Sequence, residues 1–229
     1  MPEIEIFTLP LTEIEGEQID LSVLSAQERE RARQMPPHRA HRFLKSRSFV
    51  RHRLAEQLGS QAGDIEFDWP VRGKPRLVKP CLHFNISHTR NLLALAISPH
   101  SEVGIDLETP GRQNRTDAIA ARYFPNSELQ WINQATDSAM REWRFLQLWT
   151  MKESLSKLIG CGIVPKVLRE ITRVTDNLPE PNPDFTGPVQ QAFAKFQAAG
   201  QTYLLSLAAQ MSPTTELCLR MDRDFEEKI

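Results

Sequence analysis

A recurrence in the chain constrains its fold more than any single motif. Residues 38–58 carry Phe43, Leu44, Phe49, Val50, Leu54 and Leu58 at helical spacing and stop at Gly59. That is the signature of an amphipathic helix closed by a left-handed glycine. Residues 139–160 carry Phe145, Leu148, Leu155, Leu158 and Ile159 in the same rhythm, with Trp149 at the edge of the stripe. Their ending, LSKLIG, echoes LAEQLG at 54–59. After each helix the period changes to two. LHFNIS at 82–87 sets Phe84 and Ile86 on one face, NLLALAIS at 91–98 is apolar on both faces, and His88–Asn91 between them has hairpin length. QAFAKFQ at 191–197 and TYLLSLAA at 202–209 flank Ala199-Gly200 in the same manner. A third strand follows each hairpin, SEVGIDLE at 101–108 and ELCLRMD at 216–222. The unit returns after roughly 100 to 115 residues. This predicts an α+β chain of two similar halves, 1–102 and 103–229, related by a pseudo-twofold duplication. Each half is a long helix packed on a small antiparallel sheet, with a cleft between them. Chance similarity of amphipathic elements is the alternative, since the two halves share little identity.

Outside the repeat, residues 3–9 alternate as a strand, and SAQERERARQ at 25–34 reads as a helix with Ser25 and Glu28 placed for a capping box. Pro36-Pro37 stops that helix, and LPEPNPDFTGP at 178–188 reads as a Pro-rich loop. Lys+Arg number 28 against 29 Asp+Glu, which argues against a general nucleic-acid binder. No apolar run approaches the roughly 20 residues that span a bilayer. The first residues, MPEIEIFTLPLTEIEG, hold acids where a secretion signal needs bases. A cytoplasmic, monomeric protein without membrane attachment is expected. Cys81, Cys161 and Cys218 form no CxxC pair and are expected as buried thiols in a reducing compartment.

The strand VGIDLE at 103–108 is the chemical centre of the sequence. Side chains two apart on a strand share a face about 6.6 Å apart. Val103, Ile105 and Leu107 can then face a core while Gly104, Asp106 and Glu108 face the other way. Gly104 leaves room for something to approach closely. Paired carboxylates repel, and a hard cation such as Mg²⁺ relieves them. A solvent-facing acidic edge is the plain alternative. WTMKESLSK at 149–157 sets Glu153 and Lys157 one helical turn apart, beside the apolar stripe; the plain alternative is an exposed ion pair. RGKPRL at 72–77 holds Lys74 in a tight turn between Gly73 and Pro75, and HFNISH ends a strand on Ser87 and His88. A turn lysine and a strand-end Ser/His suit phosphate groups, although singly each reads as a surface residue. Basic residues crowd the first helices, Arg29, Arg31, Arg33, Arg39, Arg42, Lys45, Arg47, Arg51 and Arg53. Most belong to a solvated face and a few could serve an anionic ligand or an acidic partner.

Taken together, GKP, FNISH, GIDLE and WTMKESLSK, in this order and spacing, resemble the 4'-phosphopantetheinyl transferases, and the length and repeat resemble the longer, pseudo-dimeric Sfp type. Thr89 departs from the second serine common after Ser-His. The resemblance implies transfer of the phosphopantetheine arm of coenzyme A to a carrier-protein serine, with release of 3',5'-adenosine bisphosphate. It also implies a divalent metal, Mg²⁺ or Mn²⁺, held by Asp106 and Glu153, with Glu108 bound directly or through water. Glu153 would take the serine proton, directly or through a metal-held water, and Lys157 would offset charge at the pyrophosphate. Lys74, Ser87 and His88 would hold the nucleotide phosphates, Gly73 and Pro75 would shape the adenine pocket, and Arg42, with Arg31 as a further candidate, would meet the 3'-phosphate. Two other readings stay open. A metal-dependent phosphohydrolase would use the same carboxylates on a pyrophosphate without an acceptor, and a non-catalytic protein would only bind coenzyme A or carriers. Phe124, Leu129 and Trp131 offer a carrier-docking edge, with core packing as the alternative.

Overall fold

Alternation in the first strand is borne out: β1 (Glu3–Pro10) buries Ile4 and Ile6 in the core. The structure, a computed structural model, describes the chain apart from residues 1–2, 13–17, 71–72, 80, 112–115, 212–217, 222–225 and 229. Helix α1 (Ala26–Arg33) starts at the predicted capping box, where Ser25 Oγ accepts from Glu28 N and Glu28 Oε2 accepts from the Ser25 amide. Glu28 also accepts from Arg51 Nε at 2.9 Å, a buried pair that ties α1 to the long helix α2 (Pro37–Leu58). Pro37 opens α2 at its first turn, where its missing amide costs nothing, and Gly59 closes it at φ +60°.

A short 3₁₀ turn leads to β2 (Phe67–Asp68) and β3 (Arg76–Leu77), a small ladder that frames the turn containing Gly73 and Lys74. The predicted hairpin follows as β4 (His83–His88) and β5 (Leu92–Ser98), then β6 (Val103–Glu108). Helices α3 (Thr116–Tyr123) and α4 (Asn126–Asn133) precede the second long helix, α5 (Ser138–Ile159), which ends on Gly160 at φ +72°. Helix α6 (Pro165–Glu170), β7 (Thr172–Thr175), β8 (Leu178–Pro181) and α7 (Pro183–Thr186) lead to the second hairpin, β9 (Val189–Ala198) and β10 (Gln201–Gln210). Strands β11 (Cys218–Met221) and β12 (Glu226–Lys228) complete two four-stranded sheets, ordered β11-β1-β5-β4 and β12-β9-β10-β6.

The layers follow from which faces are apolar. On β5, Leu92, Ala94 and Ala96 join β1, β6 and β10 residues in a core between the sheets, while Leu93, Leu95 and Ile97 pack with Val50 and Leu54 of α2. On β10, Leu205, Leu207 and Ala209 face that shared core, and Leu204 and Ala208 pack with Leu148 and Leu155 of α5. The order is helix, sheet, sheet, helix, with β5 and β10 buried on both faces.

Several expectations need correction. The first sheet is not purely antiparallel, because β11 joins β1 in parallel. The stretch 178–188 is no loop: β8 pairs with β7 through a turn with Asp176 and Asn177 at positive φ, and α7 follows. Cys81 is exposed and Cys161 half-exposed, because both fall in connecting segments rather than in strands or helices; the Cys218 side chain lies outside the described residues. Phe124 and Trp131 are core, packed with Phe145 and Trp149, and Leu129 packs against them, so no docking edge forms there. Ile159, placed in the apolar stripe of α5, is 41% exposed at the helix's last residue. Among the described residues no helix is long and apolar enough to cross a membrane.

Candidate active site

Two elements create the centre. Strand β6 presents Val103, Ile105 and Leu107 to the shared core, as the alternation predicts, and turns Gly104 and Asp106 toward α5. A Cβ at Gly104 would overlap the Ser154 carbonyl oxygen and come 2.5 Å from Leu158 N. What approaches at this glycine is therefore the backbone of α5. The contact falls between Glu153 and Lys157 and so brings both side chains to Asp106.

Asp106 is 3% exposed. Its Oδ1 accepts from Lys157 Nζ at 2.6 Å and from Ser87 Oγ at 2.9 Å, while its Oδ2 is buried without a hydrogen-bond donor. Glu153 Oε2 lies 3.8 Å from the same ammonium. Burial pushes the Glu153 carboxyl up to about 8, the Asp106 and Glu108 charges push in the same direction, and Lys157 opposes them. Contact between the Glu153 carboxyl and Asp106 also favours the acid form. Glu108 ends β6 half-buried, near enough for its charge to be felt at Glu153. Three carboxylates thus share one neighbourhood, with the Lys157 ammonium beside Asp106 and Glu153.

Beside this centre a cleft of about 660 Å³ opens along α2. Arg39, Arg42, Arg47 and Arg90 bring positive charge to its wall, His88 adds an imidazole, and Trp69, Pro75 and Phe43 bring apolar surface. Arg42 is held by donating to Arg90 O at 3.1 Å and His38 O at 3.3 Å. Arg47 lies over the Trp69 ring at 4.5 Å and the Phe43 ring at 5.3 Å. His88 titrates below the usual histidine value, first through desolvation and then through the Lys157, Arg42 and Arg47 cations. This concentration of fixed positive charge next to a carboxylate centre suits a polyanion that ends at a metal.

Lys74 is placed differently from a free phosphate ligand. Its ammonium sits 2.5 Å from Glu102 Oε2 and donates to Val103 O at 2.7 Å. Burial lowers its pKa, with Glu102 opposing. Gly73, at φ +105°, seats its turn against Gly160 and Pro70. Arg31 stacks over Phe43 at 5.5 Å, outside the cleft lining. So Asp106, Glu153, Lys157 and Ser87 meet directly, Arg42, His88 and Pro75 line the adjoining cleft, and Lys74 and Arg31 stand outside both. Asn85, Trp69 and Arg90 are the neighbours that sequence reasoning missed. Asn85 left a signal, being two residues before Ser87 on the same strand face.

Among the described residues no three His, Cys, Asp or Glu side chains are arranged as a metal shell. The donor set nonetheless fits a hard dication in kind: two adjacent carboxylates, one raised in pKa by burial and then by the other, and a buried Asp106 oxygen with no hydrogen-bond partner among the described residues.

Comparison with known proteins identifies the family. The model of the 4'-phosphopantetheinyl transferase superfamily matches residues 102–208, which run from the start of β6 through β10 and hold Asp106, Glu108, Glu153 and Lys157. The chain is 33% identical to 4'-phosphopantetheinyl transferase HetI of Nostoc sp., over 70% of this chain and 70% of that protein. It is 31% identical to 4'-phosphopantetheinyl transferase ffp of Bacillus subtilis, over 75% of this chain and 78% of that one. The human L-aminoadipate-semialdehyde dehydrogenase-phosphopantetheinyl transferase shares 33% identity over 52% of this chain, which spans 42% of the human protein. On the strength of these matches and the strand-and-helix centre they cover, the chain belongs to the 4'-phosphopantetheinyl transferase superfamily.

Proposed function

We propose that this chain moves the 4'-phosphopantetheine group of coenzyme A onto a serine hydroxyl of an acyl or peptidyl carrier protein. The serine oxygen bonds to the phosphorus that bears the pantetheine, the bond to the second phosphate breaks, and 3',5'-adenosine bisphosphate leaves. The observation that carries this reading is the junction of an arginine-lined cleft with the Asp106–Lys157–Glu153 centre. The cleft suits the bisphosphate nucleotide, with Arg42 and His88 at its phosphates and Pro75 at its base. Lys157 offsets charge that gathers on the leaving phosphate. Glu153 in its anionic form takes the serine proton. Asp106 and Glu153, with Glu108 beside them, are the residues to hold Mg²⁺, or Mn²⁺, which neutralises the diphosphate. All of these groups come from one chain, so we take a monomer as the working unit. The cytoplasm, where coenzyme A and newly made carriers meet, is the proposed compartment.

We also read the chain as a duplication divided into 1–102 and 103–229, with β11 of the second half crossing over to pair with β1 in the first sheet. The support is a 22-residue helix in each, closed by a left-handed glycine and followed by a hairpin. In each half the second hairpin strand pairs antiparallel with the first strand, β5 with β1 and β10 with β6.

The test is mass spectrometry of apo carriers incubated with the protein, coenzyme A and Mg²⁺. A gain of one phosphopantetheine group is expected. Free phosphopantetheine released with no carrier present would point to a hydrolase instead, and an unmodified panel of carriers from the protein's own source would refute the transfer. Asp106→Ala and Glu153→Ala are expected to abolish transfer while circular dichroism and melting show a retained fold. Glu153→Gln is expected to lose about 10²-fold or more in kcat.

The raised Glu153 pKa adds a prediction about metal binding. At pH 7 a carboxyl with a pKa near 8 is about nine-tenths protonated, and an anionic ligand is what a dication needs. Mg²⁺ binding is therefore expected to release close to one proton at pH 7 and far less at pH 9. Calorimetry in buffers of different ionisation enthalpy reads this directly, and equal release at both pH values would contradict it.

A further inference from the structure

We propose that Asn85 is a positioning residue for Asp106, acting through the backbone of β6. Strand β6 has two edges. One is laddered to β10, with Asp106 opposite Ser206. The other faces β4, yet β6 and β4 share no backbone ladder and lie in different sheets. Side chains close this second edge instead. Val103 O accepts from Lys74 Nζ at 2.7 Å and Ile105 N donates to Asn85 Oδ1 at 2.9 Å. Ile105 O accepts from Lys157 Nζ at 3.1 Å and Leu107 N donates to Ser87 Oγ at 3.2 Å.

The arrangement has a simple origin. His83, Asn85 and Ser87 alternate along β4 and so share one face. All three turn to β6: His83 Nδ1 stands 3.3 Å from Glu102 Oε1, Asn85 meets Ile105 and Ser87 meets Leu107. Phe84, between them, points into the core packed on α2. The seam between the sheets is thus a row of side chains, and it passes through both residues that flank Asp106. Ser87 and Lys157 grip the Asp106 carboxylate itself as well as the backbone beside it. Asn85 touches no carboxylate. Its one side-chain bond among the described residues is to the Ile105 amide, next to Asp106, and it makes it while 4% exposed. A buried amide that loses its acceptor seeks another, and the strand shifts to find one.

The consequence is geometric. Lys157 reaches Asp106 Oδ1 at 2.6 Å and Ile105 O at 3.1 Å in one grip, so a slipped Ile105 moves both of its targets. Without Asn85 the centre keeps its residues and loses their alignment. The cleft takes Ile86 and His88 from the opposite face of β4 together with α2 residues, so it does not depend on the bond from Asn85 to Ile105.

The test compares Asn85→Leu, which keeps the volume and lacks the acceptor, with Asn85→Asp, which keeps both. Ile4→Val, in the core between the sheets, serves as a control for plain loss of stability. Hydrogen exchange of the β6 amides and steady-state kinetics are both measured. Asn85→Leu is expected to speed exchange at Ile105 at least tenfold beyond the Ile4→Val control. It is also expected to lower kcat at least tenfold at a KM for coenzyme A within twofold of the parent, with Asn85→Asp falling between Asn85→Leu and the parent in both. Unchanged Ile105 exchange in Asn85→Leu, or a kcat loss matched by Ile4→Val, overturns the proposal. The kinetic arm rests on the transferase reading and the exchange arm does not. Should the parent protein modify no carrier, that reading fails alone, and the exchange comparison still decides the role of Asn85.

Discussion

Replacing Gly104 by alanine is expected to cost about 3 kcal/mol or more of stability and at least about 10²-fold in transfer. The added methyl has nowhere to go. It would overlap the Ser154 carbonyl oxygen and press on the backbone of Leu158, both inside α5. Neither is the movable end of a side chain, and Gly104 itself is fixed opposite Ala208 in the β6–β10 ladder. Either the helix withdraws or the strand twists, and each parts Lys157 from Asp106, now 2.6 Å apart. A displacement of about 1 Å is enough for the catalytic loss. For a chain of this size about 3 kcal/mol corresponds to a fall in Tm of roughly 6 to 12 °C. Thermal melting and the carrier assay, run well below the new Tm, measure the two effects separately. An alanine variant with parental Tm and turnover would show that α5 does not depend on this glycine. The expectation also distinguishes Gly104 from the other described glycines. Gly59 and Gly160 are needed for their positive φ and have nothing within 4 Å of an added Cβ, so alanine there strains the backbone without a clash.

How far the sequence spoke depends on what kind of interaction holds each part. Helices α2 and α5, the two hairpins and β6 were legible because each is amphipathic or alternating over enough residues to show a period, and two left-handed glycines mark the helix ends. The convergence of Asp106, Glu153 and Lys157 was legible as motif and is local in cause, since one strand and one helix carry all three. The placement of Lys74 was not legible. Its neighbours Gly73 and Pro75 announce a turn, but the ion pair with Glu102 depends on where that turn meets the start of β6 in space. Asn85 was hidden for the same reason, because nothing in HFNISH says that its partner is a backbone amide of a strand from the other sheet. The Pro-rich stretch 178–188 misled because Pro179 and Pro181 sit in the short β8 strand of a two-stranded ladder, where proline is tolerated. Basic residues on α1 and α2 could not be sorted by sequence. Arg51 serves a buried pair with Glu28 while Arg39, Arg42 and Arg47 reach the cleft, and only packing separates them.

The second large effect lies just behind the centre, at Lys152. This lysine is fully buried, its ammonium donating to Glu128 Oε1 at 2.9 Å, to Thr172 Oγ1 at 2.6 Å and to the carbonyl of Leu168. Glu128 Oε2 stands 2.8 Å from the same nitrogen, and Phe124 offers its ring face at 5.2 Å. One cation thereby joins α4, α5, α6 and β7, on the helix that carries Glu153. Burial drives both partners toward their neutral forms and their mutual attraction opposes this. Lys152→Met is expected to destabilise the fold by about 3–5 kcal/mol, because Glu128 is left buried without its counter-ion. The sign of the pH dependence follows. With Lys152 gone, the folded Glu128 pKa stands above its unfolded value, so the penalty is smallest below the ordinary carboxylate range and grows as pH rises toward the folded pKa. Lys152→Met combined with Glu128→Leu removes both charges and is expected to recover more than half of the loss. Urea melts of the parent, the single and the double variant at pH 5 and pH 8 provide the comparison. A single variant within about 1 kcal/mol of the parent at pH 8 would contradict the assignment, as would a double variant less stable than the single. In either event the packing around α5 would owe its stability to the aromatic stack of Phe124, just before α4, with Phe145 and Trp149 instead of to the ion pair.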